Sequence, residues 1–237
     1  MSDVADAALP LSGLLLLQNW MSPAFPIGAY TCSHGLEAAI ADGTIDDATA
    51  LREWLVDVLV HGSGRNDAIV LAASHAAAAE GRTDTLNEIN ELALALSAGA
   101  ERRRESVLLG TSFRRAAAPW RSDSATRSLP PWFEREREEI ALPVAIGALT
   151  ARHGLPLLAV LATALQSTTA NLAWIATRLV PLGQDDTLAL LAGLEPVVAR
   201  AAREAARSTL EDLGGCAVLA DIDSLRHEHL PSRVCRT

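Results

Sequence analysis

Residues 155–177 form a run of 23 residues without a formal charge, which is long enough to cross a lipid bilayer as a helix. The polar residues Gln166, Ser167, Thr168, Thr169 and Asn171 lie together in the middle of this run. Polar groups at the centre of a bilayer are energetically costly. We therefore interpret the run as a buried helix, in the core of a soluble protein or at a subunit interface, and we predict no membrane insertion.

The rest of the chain also has a helical composition. Hydrophobic residues make up 49% of the 237 residues and aromatic residues only 4%, and the apolar mass is Ala and Leu, which are strong helix formers. Runs with the period-two alternation of strands are nearly absent. The sequence predicts an all-α fold, a single-domain helical bundle of roughly eight to ten helices over residues 1–237, with the uncharged helix at its centre. A stretch rich in Ser, Arg and Pro predicts a flexible loop near residues 119–131.

Charge and cysteine usage exclude several function classes. A net charge of −9 argues against nucleic-acid binding, which needs a basic face. All 20 cations are Arg, so the chain has no lysine for a phosphate-binding loop or a Schiff base. The three cysteines, Cys32, Cys216 and Cys235, form no CxxC pair. This sparse set predicts a reducing cytoplasmic location rather than a disulfide framework.

The opening segment, residues 22–37 (SPAFPIGAYTCSHGLE), raises the question of catalysis. No strand precedes Ser33, as the nucleophile turn of a serine hydrolase would require. Cys32 with His34 raises the alternative of a thiolate pair, but no catalytic constellation accompanies them. We predict no catalytic residue in this segment and no enzyme activity of the chain.

A metal site is the second alternative. Cys32 and His34 are plausible ligands, and the tail, defined here as Asp221–Thr237, adds His227, His229 and Cys235. Their spacing matches no closed structural zinc pattern. Local packing of His34 and surface hydrogen bonding of the tail histidines explain these residues more simply. We predict no stable metal site and keep the five residues as weak candidates.

Arg102, Arg103 and Arg104 are consecutive, so on a helix they point about 100° apart and do not converge on an anion. Glu101 and Glu105 are spaced to pair with them along the helix. We interpret this stretch as a solvated, salt-bridged face.

Five colinear stretches resemble one known family. They are SP with PIGAYTCSHGLEAAI between residues 22 and 40, RNDAIVLAASHA at residues 65–76, ERRRESVLLG at 101–110, Asn171-Leu172 through TRLVPLGQDD to residue 186, and the tail DIDSLRHEHLPSRVCRT. In this order and combination they resemble the urease accessory protein UreF family. The tail departs from the family pattern, with Leu230-Pro231 where an aromatic residue precedes Ser-Arg and Val234-Cys235 where Leu-Phe follows it.

The resemblance implies an all-α, non-catalytic, cytoplasmic homodimer that acts in nickel delivery to urease. It implies a bridge between the accessory protein UreD, also called UreH, and the GTPase UreG, on or near the urease apoprotein. It further implies regulation of that GTPase, and nickel handled by the complex without a stably bound cofactor. Direct nickel carriage through Cys and His of the opening segment and tail is the alternative, and a helical enzyme of unknown substrate is a third hypothesis.

The resemblance also implies which residues bind partners. In the family the tail becomes ordered when UreD or UreH binds, and it packs near the tyrosine of the opening segment. The matching positions here are Tyr30, His34, Glu37, Arg226, His227, Glu228, Ser232 and Arg233. We therefore predict that the opening segment and the tail form a docking surface.

Overall fold

The computed structural model describes residues 8–120, 129–130, 133, 135 and 138–237, and all regular secondary structure in that part of the chain is helical. The α-helices are α1 (Leu11–Trp20), α2 (Leu36–Ala41), α3 (Ala48–Val60), α4 (Ser63–Ala79), α5 (Thr83–Ala95), α6 (Ala100–Ala116), α7 (Leu142–Arg152), α8 (Leu157–Thr177), α9 (Gln184–Ala205) and α10 (Val218–His227). Short 3-10 helices span Ala29–Thr31, Ala118–Trp120 and Leu210–Asp212. The all-α prediction is confirmed. The loop predicted near 119–131 lies mostly outside the described residues.

Helix α7 lies at the centre of the fold and packs most extensively against α4. All nine residues from Pro143 to Ala151 are buried. A Cβ built on Gly147 would lie 2.5 Å from the carbonyl oxygen of Leu71, so the two helix backbones are in direct contact there. The prediction that the uncharged helix lies at the centre is wrong, because α8 keeps one face at the edge of the core.

Helix α8 uses its central polar residues to hold the opening segment. Ser167 Oγ donates to the Met21 carbonyl oxygen at 2.8 Å, and Asn171 Nδ2 donates to the Ala29 carbonyl oxygen at 3.0 Å. Among the described helices α8 has the length and composition to cross a membrane, a test that core helices of soluble proteins also pass. The two hydrogen bonds show that the polar face serves packing within the fold.

Two apolar clusters form the core. The larger surrounds α4 and α7 and includes Trp20, whose ring meets that of Phe113 edge-on with centroids 5.5 Å apart. The smaller joins α2, α3 and α10 to parts of α8 and α9, around Trp54 and Leu55. Cys235 belongs to the smaller cluster, so the end of the tail is packed into the fold.

Candidate functional site

The opening segment presents one aromatic side chain from a fixed turn. Gly28 has a φ of +83°, in the left-handed region that favours glycine, and it begins the 3-10 helix Ala29–Thr31. Arg178, at the end of α8, donates from its guanidinium to the Tyr30 carbonyl oxygen at 3.0 Å. The Tyr30 side chain itself is 59% exposed. The backbone of the turn is therefore held in place while the ring faces solvent.

Helix α10 crosses the start of α2 at very short range. Gly35 has a φ of +90°, and a Cβ at this position would lie 2.4 Å from the backbone nitrogen of Ser224. The preceding residue, His34, also has a positive φ of 58°. Glycine is required at position 35 both for its backbone conformation and for this close approach. The contact places the tail beside the opening segment.

The end of the tail lies extended in a groove between the opening segment, α2 and α6. The Arg236 N–H donates to the Thr31 carbonyl oxygen at 2.7 Å, and the Ser33 N–H donates to the Thr237 carbonyl oxygen at 2.5 Å. Cys235 and Thr237 are buried while Val234 and Arg236 are exposed. This alternation is that of an extended strand whose one side faces the groove.

The carboxylate of Glu37 forms the first part of the groove floor. It accepts the N–H groups of Val234 and Cys235, at 2.6 Å and 2.7 Å on separate oxygens. Burial alone would raise the pKa of Glu37, but these two N–H donors and His227 outweigh it and hold the pKa below its usual value. Glu37 therefore binds the tail as a charged acceptor.

Glu101, in the first turn of α6, forms the second part of the floor. Its carboxylate accepts from the Arg233 guanidinium at 2.6 Å and contacts Nδ1 of His227 at 2.8 Å. The other ring nitrogen of His227 lies 3.3 Å from Glu37. His227 is fully buried, so it joins the two carboxylates beneath residues 233–237.

Glu105, one turn further along α6, forms the third part. It contacts Nε2 of His34 at 2.7 Å, pairs with Arg102, and accepts the Thr237 hydroxyl at 2.5 Å. Burial alone would raise the pKa of Glu105, but Arg102 and His34 outweigh it and hold the pKa well below its usual range. The interpretation of this stretch as a solvated face is wrong for Glu101, Arg102 and Glu105, which the tail and opening segment cover.

Asp67 lies close to this cluster, where a cavity of about 250 Å³ opens between α4, α6 and α10. Enclosure by the protein raises the pKa of Asp67, although the nearby charges of Arg102 and His34 act to lower it. The Arg102 guanidinium lies 3.9 Å from the Asp67 carboxylate. Arg102 therefore lies between two carboxylates, Asp67 and Glu105.

The weak metal-ligand candidates do not form a ligand set. Burial, followed by the negative charge of Glu105, raises the pKa of the Cys32 thiol to about 11, and burial with Glu37 raises that of Cys235 to about 12. Both thiols are neutral near pH 7, whereas metals bind the thiolate. Across the described ranges, no group of three or more His, Cys, Asp and Glu side chains could hold a metal ion. His229 is exposed at the surface.

Comparison with known proteins places the chain in a family. A family model described as UreF matches residues 45–195. The chain is 42% identical to urease accessory protein UreF 1 of Brucella canis over 228 residues, which are 96% of each chain. It belongs to the UreF family. It is also 44% identical to the UreF of Rhizobium etli over 227 residues, 96% of this chain and 97% of the relative.

The predicted partner-binding residues of this UreF-family chain divide into two groups. Tyr30, Arg226, Ser232 and Arg233 are exposed, although Arg233 also binds Glu101. His34, Glu37, His227 and Glu228 are buried or half-buried against other parts of the chain. Arg226 is exposed and pairs with Asp42 at 3.0 Å. The buried members hold the tail, and their part in partner binding stays a prediction.

Two residues of α6 that receive the tail were not among the predicted site residues. Glu101 and Glu105 are four residues apart and share one helix face. This shared face is the signal in the sequence that the two carboxylates act together. Their partners Arg233 and Thr237 each lie 132 positions away along the chain. A pattern within one helix does not reveal such distant pairing.

Proposed function

We propose that this chain is a non-catalytic assembly factor in urease maturation, acting in the cytoplasm as a homodimer. In this proposal it bridges UreD or UreH and the GTPase UreG for nickel insertion into the urease apoprotein, and it regulates GTP hydrolysis by UreG. Membership of the UreF family supports the maturation role. The absence of lysine leaves the chain without the phosphate-loop residue of a GTPase, so that activity belongs to a partner.

The observation that carries the docking role is an exposed surface to which two parts of the chain contribute. Tyr30 comes from the opening segment, Trp174 comes from α8, and Arg178 directly follows α8. Tyr30 is 59% exposed and Trp174 is 37% exposed. Arg178 binds the backbone of the tyrosine turn, and Trp174 lies one helical turn before it on the same face.

The composition of this surface fits a protein partner better than a small molecule. Exposed Tyr and Trp with an adjacent Arg are the residue types that dominate protein–protein binding energies. Hydrogen bonds from Asn171 and Arg178 hold the backbone of the tyrosine turn, which supports a surface that is fixed before binding. Such preorganisation lowers the entropic cost of association.

Affinity measurements with the partner test this proposal. We would immobilise the UreD or UreH protein of the same organism and titrate the wild-type chain, Tyr30→Ala and Leu188→Ala. Leu188 is a matched exposed apolar residue on α9, 55% exposed. We expect Tyr30→Ala to weaken binding at least about tenfold, or about 1.4 kcal/mol, and Leu188→Ala to bind as wild type. Equal affinities of all three proteins would contradict the docking role.

Nickel handling by the complex is part of the proposal, with no nickel held stably by this chain alone. The neutral thiols of Cys32 and Cys235 and the carboxylate partners of His34 and His227 support it. Calorimetric titration of the free chain with Ni²⁺ tests this part. We expect no binding tighter than roughly millimolar, about −4 kcal/mol. Tighter binding that is lost in Cys235→Ala or His34→Ala would favour the carrier alternative.

A further inference from the structure

A cavity of about 120 Å³ lies beneath the opening segment, where α4, α6, α7 and α8 enclose it. We propose that this cavity is a binding site for a small organic amine, whose apolar body fills the chamber and whose ammonium group binds the Asp67 carboxylate. The proposal concerns the free chain and is independent of the proposed urease partners. None of residues 221–237, all of which the structure describes, lines the cavity. The site therefore does not depend on the position of the tail.

The chamber of the cavity is apolar. Its walls come from the four helices and from the opening segment, and they include six buried apolar side chains, Phe25, Leu71, Phe113, Ile146, Leu161 and Leu165. Well-packed interiors contain few voids larger than a water molecule. The volume is close to the roughly 150 Å³ of an engineered apolar cavity that binds benzene. The body of the ligand therefore has about six carbon atoms.

The Asp67 carboxylate belongs to the polar end of the cavity, together with His34, Arg102 and Glu105. The Arg102 guanidinium lies 3.9 Å from the Asp67 carboxylate, which is beyond hydrogen-bond distance. Arg102 is instead directed to Glu105, which also contacts His34 at 2.7 Å. Of the two carboxylates, Asp67 is the one that accepts no hydrogen bond from a described residue.

Asp67 faces enclosed space rather than open solvent. Half of its side-chain surface, 50%, is accessible to water. Enclosure by the surrounding protein nevertheless raises its pKa above the ordinary value, which a position on the open surface would not do. Asp67 lines both this cavity and the larger one beside α10, and these cavities account for its accessible surface. The carboxylate is therefore presented to a ligand inside the protein.

The cavity has an entrance beside the tyrosine turn. Pro23 and Tyr30 both line the cavity and are both exposed to solvent. Asn171 and Arg178 hold the backbone of this turn. The entrance is therefore formed by a fixed part of the chain.

The chamber and its polar end together specify the chemistry of the ligand. Water alone can bind the carboxylate, but only an alkyl or aromatic body is stabilised by contact with the apolar walls. A primary amine supplies N–H donors that carry a positive charge, and such a hydrogen bond to a carboxylate is about twice as strong as a neutral one. A ligand carboxylate would meet Asp67 and Glu105 as like charges. The site therefore selects a small cation with an apolar body and rejects an anion of the same size.

Titration of the full-length chain with two probes of matched size tests the proposal. The probes are benzylamine and benzoate, each followed by isothermal titration calorimetry at neutral pH. We expect saturable binding of benzylamine with a dissociation constant of about 1 mM or tighter, which a ligand of about eight non-hydrogen atoms can reach. We expect benzoate to bind at least about tenfold more weakly. No saturable binding of benzylamine, or equally tight binding of benzoate, would overturn the proposal.

Two matched variants test the role of the Asp67 charge. Asp67→Asn keeps the shape of the side chain and removes its charge, and Asp57→Asn does the same at an exposed aspartate on α3. We expect Asp67→Asn to weaken benzylamine binding at least about tenfold and Asp57→Asn to bind as wild type. An equal effect of the two substitutions would show general attraction of a cation to a chain of net charge −9, and would overturn the proposal.

A larger side chain in the chamber tests the location of the site. Ala164→Leu enlarges a residue of α8 that lines the cavity, and Ala199→Leu makes the same change at a half-buried position on α9 outside it. We expect the first variant to lose saturable benzylamine binding and the second to bind as wild type. If Ala164→Leu loses its helical circular dichroism, the Asp67→Asn comparison decides. Unchanged binding by a folded Ala164→Leu would overturn the proposal, and because no partner protein is present, that outcome leaves the docking role at Tyr30 standing.

Discussion

The contact between α4 and α7 and the groove beneath the tail are both buried, yet different forces hold them. The first is apolar and depends on glycine, since Gly147 brings the two helix backbones together. The second contains three buried carboxylates that bind two histidines, two arginines and the backbone of the tail. The helix contact therefore depends on close-fitting shape, whereas the groove depends on the partners of its buried charges.

The two regions should respond differently to perturbation. An apolar contact is stabilised by the removal of nonpolar surface from water, and it contains no group that titrates. A buried carboxylate is tolerated only while its partners remain, because an unpaired buried charge is strongly unfavourable. The groove should therefore be sensitive to the removal of single charges and to pH. The helix contact should be sensitive to added side-chain volume.

Removal of Glu105 should have the largest effect. Glu105→Ala leaves Arg102 buried beside a single distant carboxylate, Asp67, and leaves His34 without its partner. We expect a loss of about 3–5 kcal/mol in the free energy of unfolding, the usual cost of breaking a buried ion pair. Urea denaturation followed by tryptophan fluorescence measures it.

Glu53→Ala is the control for that measurement, because Glu53 is an exposed glutamate on α3. Substitutions at such exposed positions usually change stability by less than about 0.5 kcal/mol. If Glu105→Ala changes stability no more than Glu53→Ala, the groove is not held by its charge partners.

A methyl group at position 147 should have the next largest effect. Gly147→Ala places a Cβ 2.5 Å from the Leu71 carbonyl oxygen, so α4 and α7 must separate, at a cost of about 1–3 kcal/mol. Gly193→Ala on α9 is the matched control, since its Cβ would meet nothing within 4 Å. There we expect a gain of about 0.5–1 kcal/mol from helix propensity. A stabilised Gly147→Ala would show that the helices are not in backbone contact.

Acid should weaken the groove through Glu37. The pKa of Glu37 is lowered from the ordinary value of 4.5, so its stabilising contribution is full above that value and is lost as the pH falls through the folded-state pKa. We expect Glu37→Gln to cost about 1–3 kcal/mol at pH 7, and the difference from wild type to shrink towards pH 3.5.

Comparison of the two proteins at each pH isolates Glu37, because both retain the aspartates whose pKa burial raises, Asp67, Asp221 and Asp223. Those aspartates change stability with pH in the opposite direction. A difference between wild type and Glu37→Gln that stays constant from pH 7 to pH 3.5 would contradict a charged Glu37 in the closed groove.

The helical fold could be predicted from the sequence because helix formation depends on local spacing and composition. The long uncharged run predicted as a helix is α8, Leu157–Thr177. Its central position was predicted wrongly, since apolar character alone does not distinguish a helix at the centre from one that also holds a loop. The polar residues at the middle of α8 were the signal of that second role.

The groove could be predicted only in part. The resemblance predicts that the tail packs near Tyr30 of the opening segment, and the Tyr30 side chain is exposed. The floor was missed because Glu101 and Glu105 look like partners of the arginines beside them, as Arg102 is for Glu105. Their other partners come from the tail, and such long-range pairing depends on the packing of α10 against α2.

Hydrogen exchange of the full-length chain tests the central claim most directly, which is that the carboxylate of Glu37 holds the end of the tail in the groove. The Val234 and Cys235 amides donate to the buried carboxylate of Glu37. We predict that both exchange at least about 100-fold more slowly than in an unstructured peptide, and that Glu37→Gln removes most of this protection. Exchange of both amides at the unstructured rate in the wild-type chain would contradict the account.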